Sequence, residues 1–467
     1  MDETYARILN EIKTPNRDYA CRLLQCLVVA IQPLRIEELA EVLAIDFNDG
    51  GVPKLNPRWR WEDQEQALLS SCSSLITIIN AGESQVVQFS HSSVKEFLTS
   101  PRLAAWSEDH LSHYHIRLEP AHAILAQTCV SVLLQLDERV VIVGIDNHSP
   151  LAPYAARHWV SHAQFGQVSS RIKGMKYLFD KDRPYFGSWL QLFDIDPKPD
   201  ASSIFPMFVS FDGFKAAPLY YAALCGFHDL AKHIIDKHPQ QVNARGGYYM
   251  TPLVAALAGR HFETAQLLHN HGADPNVRCY DGRTPLHAAV QSGELEMVQK
   301  LIEYGADINA QNRTGWTPLH IASRLVQPNI DVVQLLLERG VDVNARAQDG
   351  CTALHEASAY GTPEVVRLLL GYGATVETKS NNGRAPHQTV SGTPRDKARK
   401  LKLLKEFSVQ GGPGQGRTSS STQHRRRSGL QTKYLRHASS SSVLGRSDQS
   451  NTDMASDISL PISTNSG

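Results

Sequence analysis

The sequence predicts a mainly α protein: a helical N-terminal region that carries a small β-wing, then a solenoid of stacked helix pairs, then a disordered tail. Three observations predict it. Thr-Pro-Leu-His, or a close variant, returns every 33–35 residues from Ala217 to Ala385. Near the N-terminus, two strand-like stretches flank Ala81-Gly82-Glu83-Ser84 between helical ones. From Gly411 onward, Ser, Gly and Gln replace apolar residues.

The chain has 467 residues, with 47 Lys+Arg against 47 Asp+Glu and so no net charge. That balance gives no reason to expect nucleic acid or an anionic membrane as the main partner. The seven cysteines are scattered and form no CxxC pair. This fits a reducing compartment and argues against a disulfide framework or a structural zinc site. The start, MDETYARILNEIK, lacks the apolar core of a signal peptide. The longest apolar stretches, CLVVAI and VVIVGI, fall far short of the roughly 18 residues that a membrane span needs. The expectation is an intracellular soluble protein, cytoplasmic first and nuclear second, with no cofactor, no metal and no membrane partner.

Residues 1–105 read as a winged-helix-like module. RDYACRLLQCLVVAIQPLRIEELAEVLAID gives a helix, a break at Gln32-Pro33 and a second helix. Leu75–Asn80 and Gln85–Ser90 then give a β-hairpin signal, and Ser92 begins another helix that runs to Leu98. The helix after the break sets Arg35 against Glu37, Glu38, Glu41 and Asp46. An acidic helix is a poor partner for phosphates, so DNA-linked regulation through this module ranks below protein or intramolecular contact. Residues 106–204 read as a helical linker region, with AHAILAQTCVSVLLQL its clearest helix, expected to form a bundle that packs the winged module onto the repeats that follow. His91 lies among Ser90, Ser92 and Ser93, but no glycine-rich nucleophile elbow surrounds it. His110, His113, His115 and His122 have no second cluster of ligands beside them. Both groups are read as structural.

The order of these features resembles the region just downstream of the NACHT ATPase domain in fungal NLR-like, STAND-type proteins. The matching stretches are DETYARIL at Asp2, PLRIEELAEVLAI at Pro33, SCSSLITI at Ser71, FSHSSVKEFLTS at Phe89, LAPYAARHWVSHA at Leu151 and SWLQLFDID at Ser188. The resemblance covers roughly residues 1–195. It implies a preceding NTPase domain, ATP-dependent signalling, and a role in fungal self/non-self or stress recognition. No GxxxxGK[ST] stands in the chain, and DGFKAAPL at Asp212 is not one, so ATPase chemistry does not carry over. The chain starts where that domain would end, as a truncated gene or part of a longer chain would.

Residues 205–407 hold about six repeats, four of them well formed at 247–380. Their starts are Ala217, Thr251, Thr284, Thr317, Thr352 and Ala385. The long fourth step comes from two extra residues around Leu325–Asn329, between the two helices of that unit. In the unit at Thr284, the threonine caps a first helix, and Pro285 suits its first turn. Gly293 ends that helix. Met297, Val298, Leu301 and Ile302 give the apolar stripe of a second helix, which Gly305 closes. ADINAQNRTG then projects as a finger. One such unit cannot bury its stripes alone, whereas stacked units can. Residues 284–316 resemble an ankyrin repeat, and the pattern recurs at a fixed period. Arg260 stands where most units place glycine, which implies either a strained left-handed residue or a different turn. His238-Pro239, His387 and Pro394 also depart from the pattern, as capping units do.

No nucleophile, base and orienting group converge in the repeats, so the chain is expected not to be an enzyme. His287, His320 and His355 are read as bridges between turns, in keeping with the resemblance, and Asp274, Asp307 and Asp342 as turn residues. HEAS at His355 lacks the second histidine of a zinc peptidase motif. Binding then falls to the variable surface. The finger candidates are Arg245, Tyr248, Arg278, Tyr280, Arg283, Arg313, Trp316, Arg346, Asp349, Lys379 and Arg384; the first helices add Gln291, Arg324 and Tyr360. Arginine with aromatics is the mixture found at protein hot spots. Its positive bias favours an acidic or phosphorylated protein over nucleic acid or a small molecule.

Residues 408–467 read as a disordered Ser-rich tail, too poor in aromatics to bury enough area. Arg425–Arg427 beside Ser428 looks like a weak nuclear-targeting or kinase-recognition patch, against the plainer reading of a solvated linker. The leading expectation is a non-catalytic protein-interaction, scaffold or sensor module.

Overall fold

The computed structural model describes residues 2–47, 51–56, 72, 74–82, 84–105, 109–136, 149–166, 168–196, 216–279 and 281–410. The tail expected from 408 lies outside the described residues beyond Gln410, as does Tyr280.

The protein is mainly helical. An N-terminal winged-helix domain opens with α1 (Asp2–Glu11), α2 (Arg17–Val29), β1 (Leu34–Arg35) and α3 (Ile36–Leu43). A short pair, β2 (Ile45–Asp46) and β3 (Lys54–Leu55), precedes the wing of β4 (Ile76–Ala81) and β5 (Ser84–Phe89). The strands of the wing pair antiparallel from Ile76↔Phe89 to Ala81↔Ser84, and β1 joins the other edge of β5. The hairpin therefore forms one residue away from the expected bounds, which is the usual uncertainty at element ends. Gly82 takes φ +66° in the turn, where a Cβ would be strained.

Helix α3 is buried along almost its whole length. Glu38 accepts from the Arg35 amide at 2.7 Å. Glu41 accepts from the Ser149 hydroxyl at 2.9 Å and the Leu151 amide at 2.7 Å. The acids that make this helix a poor phosphate partner thus hold internal donors.

Helices α4 (Ser92–Thr99), α5 (Pro101–Ala104), α6 (Asp109–Ser112), α7 (Leu118–Leu133), α8 (Ala152–Ala163), α9 (Met175–Leu178) and α10 (Tyr185–Leu192) follow. The segment expected as a linker shares a core with the first repeat. Trp159 meets Trp189 edge-on at 5.2 Å and Phe227 of that repeat in a tilted contact at 5.4 Å, while Phe186 meets Tyr221 at 5.5 Å. Just after α10, Asp194 accepts from the Tyr221 hydroxyl at 3.0 Å. Asp196 takes both the Tyr220 hydroxyl and, at 2.6 Å, the Tyr248 amide.

Five helix pairs then stack: α11 (Pro218–Leu224) with α12 (His228–Lys237), α13 (Pro252–Ala258) with α14 (Phe262–Asn270), α15 (Pro285–Ser292) with α16 (Leu295–Glu303), α17 (Pro318–Arg324) with α18 (Ile330–Glu338), and α19 (Ala353–Ala359) with α20 (Pro363–Gly371). The two extra residues of the fourth unit fall between α17 and α18, as expected. Leu219, Leu253, Leu286, Leu319 and Leu354 occupy one position of the repeat and are all fully buried. Each such leucine contributes about 1.5–3 kcal/mol by leaving water. The sixth unit keeps only a 3₁₀ turn, Pro386–Gln388, in place of a first helix; Pro394 opens the closing helix α21 (Pro394–Gln410).

Arg260 does take the left-handed conformation, at φ +59°. Gly226 and Gly293, at the same place in their units, both take +72°. Stacking fixes the turn, and the residue conforms to it.

Candidate protein-binding surface

The fingers are short and carry few apolar residues, so hydrogen bonds have to hold them. At the base of three of them, a threonine and a histidine close a ring. The Thr284 amide donates to His287 Nδ1 at 3.1 Å, and His287 Nε2 meets the Trp316 carbonyl of the next finger at 3.0 Å. His320 bridges Thr317 to Cys351 and His355 bridges Thr352 to Arg384 in the same way. Burial lowers the pKa of all three, that of His287 to about 4. They are bridging groups, as expected.

The other end of each finger is tied by an asparagine ladder. Asn276 donates to the Gly305 carbonyl at 3.0 Å and accepts from the Asp307 amide at 2.7 Å. Asn243 and Asn344 make the equivalent pair of bonds one unit on, and Asn309 accepts from the Asp342 amide. Asp274, Asp307 and Asp342 each accept from the amide two residues ahead, the turn role read from sequence.

The candidate residues divide into several groups. Tyr248 is buried at 8% exposure and packs edge-on to Tyr249 at 5.0 Å. It is therefore corrected from surface contact to core, because Asp196 and the preceding helical region cover the first finger. Tyr280 lies outside the described residues. Arg278 and Arg346 are exposed, but their guanidinium groups brace neighbouring fingers: Arg278 donates to the Gln311 carbonyl at 2.6 Å and Arg346 to the Lys379 carbonyl at 2.9 Å. Asp349 caps its own turn through the Cys351 amide at 2.9 Å. Arg283 is partly buried between Asp281, at 3.1 Å, and Gln291, at 2.8 Å. Arg245, Arg313, Lys379 and Arg384 have exposed side chains along the finger edge.

Three candidates meet. The Arg324 guanidinium lies over the Trp316 ring at 5.1 Å and over the Tyr360 ring at 4.2 Å. Beneath it is Glu356, only 7% exposed at its side chain, with Arg324 Nη1 at 3.4 Å. Burial raises the pKa of Glu356, and Arg324 opposes that shift. Sequence reasoning missed Glu356 as part of a surface. The signal was there: the corresponding positions are Tyr221, Ala255, Ala288, Ile321 and Thr389, none of them charged.

Two decoys settle into structural roles. His91 Nδ1 accepts from the Ser93 amide at 3.1 Å and caps α4. His122 and His162 face each other at 2.8 Å, and burial lowers both, to about 4 and about 3. No helix of the described residues is long and apolar enough to cross a membrane.

Comparison with known proteins fits this geometry. Residues 219–312 and 309–380 match the family described as ankyrin repeats (3 copies). Residues 8–108 match the GPI inositol-deacylase, winged helix domain. Among curated proteins, the chain is similar to the azaphilone pigments biosynthesis cluster protein L of Monascus ruber, with 30% identity over 277 residues, 55% of this chain and 55% of that protein. The chain thus spans about half the length of that relative. Among solved structures, an ankyrin repeat domain from Acinetobacter baumannii AYE is 30% identical, covering 41% of this chain and 97% of that one, with a TM-score of 0.36. The chain carries ankyrin repeats behind a winged-helix domain of the GPI inositol-deacylase type.

Proposed function

We propose that this chain is a non-catalytic protein-interaction module, a scaffold or sensor whose finger edge and first helices hold an acidic or phosphorylated segment of another protein. One observation carries the reading. The fingers at 244–251, 277–284, 310–317, 345–352 and 378–385 hold seven Arg or Lys and only two acids, Asp281 and Asp349. The segments between them, from 218 to 377, hold 14 acids and seven Arg or Lys. A chain with no net charge has sorted its charge by face, and such a field selects a partner and speeds encounter. The seven cysteines are unpaired thiols, which suits a site of action inside the cell.

The test compares full-length wild type with Arg313→Glu/Arg346→Glu for binding to labelled polyglutamate and polylysine across a salt series. The wild type should bind polyglutamate, more weakly as salt rises, and the variant should lose that binding. Equal binding of polylysine, or no effect of the reversal, would remove the charge argument.

A second reading has one observation in its favour. A winged-helix match over residues 8–108, in a chain similar to a fungal protein, suits the C-terminal part of an ATP-dependent NACHT-type switch. Reading the genomic DNA upstream of Met1 tests it: a P-loop coding stretch in frame supports it, and its absence there counts against it.

A further inference from the structure

Unit four carries something that the other units lack. Its first helix ends in Arg324, where the equivalent positions hold Ala258, Gln291 and Ala359. The helix opposite supplies Glu356 into a row that otherwise carries no charge: Tyr221, Ala255, Ala288, Ile321 and Thr389. A buried carboxylate is costly unless paired, and the repeat folds elsewhere without one. Stacking alone therefore does not explain the pair.

The geometry around Arg324 is that of a held donor fork. Two aromatic rings lie within 5.1 Å and 4.2 Å of its guanidinium carbon. Its side chain is still 45% exposed, and Tyr360 is 51% exposed. Of its five N–H donors, Nη1 points at Glu356 with a long 3.4 Å contact. The rest have no partner among the described residues. A planar guanidinium fixed by ring contacts and a buried counter-charge loses little freedom on binding.

We infer that Arg324 is the anchor for an oxyanion on the partner's segment, a side-chain carboxylate or a phosphate monoester, with Trp316 and Tyr360 holding the fork in place. This rests on the protein-binding reading above. The exposed finger cations Arg313 and Arg346 add to the same positive field. A brace between α17 and α19 is the competing role, and affinity separates the two.

The experiment selects binders to the full chain from a displayed random 12-residue peptide library. The selected peptides are then synthesised with Glu, Gln or phosphoserine at each acidic position. They are measured on wild type, Arg324→Gln, Arg324→Lys and the charge-neutral pair Arg324→Gln/Glu356→Gln, which leaves no buried unpaired carboxylate. One fixed acidic position should emerge. Its change to Gln should weaken wild-type binding about ten- to hundredfold, and should do little to either variant that lacks Arg324. Arg324→Lys should recover only part, because a point charge does not reproduce the fork. The Glu and phosphoserine peptides decide which oxyanion is preferred. Equal affinity of a peptide for wild type and the neutral pair overturns the anchor; if Arg313→Glu/Arg346→Glu still abolishes that binding, the protein-binding reading stands. No peptide enriched above bare support overturns both.

Discussion

Replacing His287, His320 and His355 together with glutamine should reduce stability at neutral pH and make the protein less sensitive to acid. Each imidazole is at most 2% exposed. Its Nδ1 accepts a threonine amide at 3.1–3.2 Å, and its Nε2 sits 3.0–3.2 Å from a carbonyl in the next finger. Only the neutral ring with its proton on Nε2 satisfies both. Protonation at Nδ1 would set one donor against another. Because the native pKa lies below the unfolded value of 6.5, the unfolded chain takes up protons first as pH falls. Stability from these groups is therefore complete above pH 6.5 and drains away towards the native pKa. For His287, falling from 6.5 to about 4, the loss at pH 5 is about 2 kcal/mol. Glutamine is the natural control: in the sixth unit Gln388 Oε1 accepts the Ala385 amide at 2.9 Å. Glutamine keeps that cap, does not titrate, and gives up the bond to the next finger, at about 1 kcal/mol per site. The assay is guanidinium unfolding followed by circular dichroism at pH 7.5, 6.0 and 5.0. The variant should start about 3 kcal/mol lower and close or reverse that gap by pH 5. His122 and His162 titrate in both proteins and cancel. Parallel loss of stability in the two proteins would refute the argument.

Three further outcomes follow from single positions. Arg260→Gly relieves a left-handed arginine, worth about 1–2 kcal/mol, and gives up only an exposed ion pair with Glu296, so thermal unfolding should show a net gain of about 0.5–1 kcal/mol. An unchanged or lower midpoint would mean that the ion pair outweighs the strain. Lys400 is buried and donates to the Ser358 carbonyl at 3.1 Å and the Ser391 carbonyl at 3.2 Å; Lys400→Met keeps the stem, removes both bonds, leaves the Ser358 carbonyl with the Ser391 amide at 3.2 Å, and should cost about 1–3 kcal/mol. Hydrogen exchange across Pro394–Gln410 should rise, and unchanged protection there would exclude this lysine as the clasp of α21. Burial raises the Asp196 carboxyl from 3.8 to about 6, so this group favours the folded state most below pH 4 and loses that contribution as pH rises through 6. A two-unit displacement corresponds to about 3 kcal/mol, which screening at this half-buried site reduces to roughly 1–2 kcal/mol. Asp196→Asn should therefore lose that much ground to wild type between pH 7.5 and 4.5, and a constant gap would exclude the shift.

The repeat was legible because its devices are local. A threonine, a proline and a histidine within four residues make the cap, the first turn and the ring contact, and a glycine nine residues on makes the exit. They recur at fixed offsets with few exceptions, Arg260 and Val326 at the glycine position among them, and the cap partners are near in sequence. What was not legible depends on what stands opposite. Tyr248 has the same finger position as exposed residues elsewhere, yet Asp196, 52 residues earlier in the chain, closes over it. Arg278 and Arg346 look like hot-spot arginines until the neighbouring carbonyls are in view. The helical stretch before the repeats was legible as a bundle packed on the stack, but the residues of that contact were not, since aromatic packing between Trp159 and Phe227 leaves no periodic trace. Glu356 was the exception that could have been found, as the one charged residue at its position of the repeat.

The bracing also changes what the surface can do. A finger held at one end by a Thr-His ring and at the other by an asparagine would still sway between neighbours. Arg278 and Arg346 reach across to the next finger's backbone, so successive tips move together. In the proposed binding role, those arginines would contribute less as direct contacts than their residue type suggests, and more by removing freedom that a partner would otherwise have to restrain. The charge of each brace still adds to the field along the finger edge. Recognition by such a face is expected to depend on where its cations are fixed: moving one finger should disturb several contacts at once. A brace substitution such as Arg278→Gln should then weaken binding by more than the loss of one surface charge would, and weaken it even at high salt, where screening has already removed most of the field.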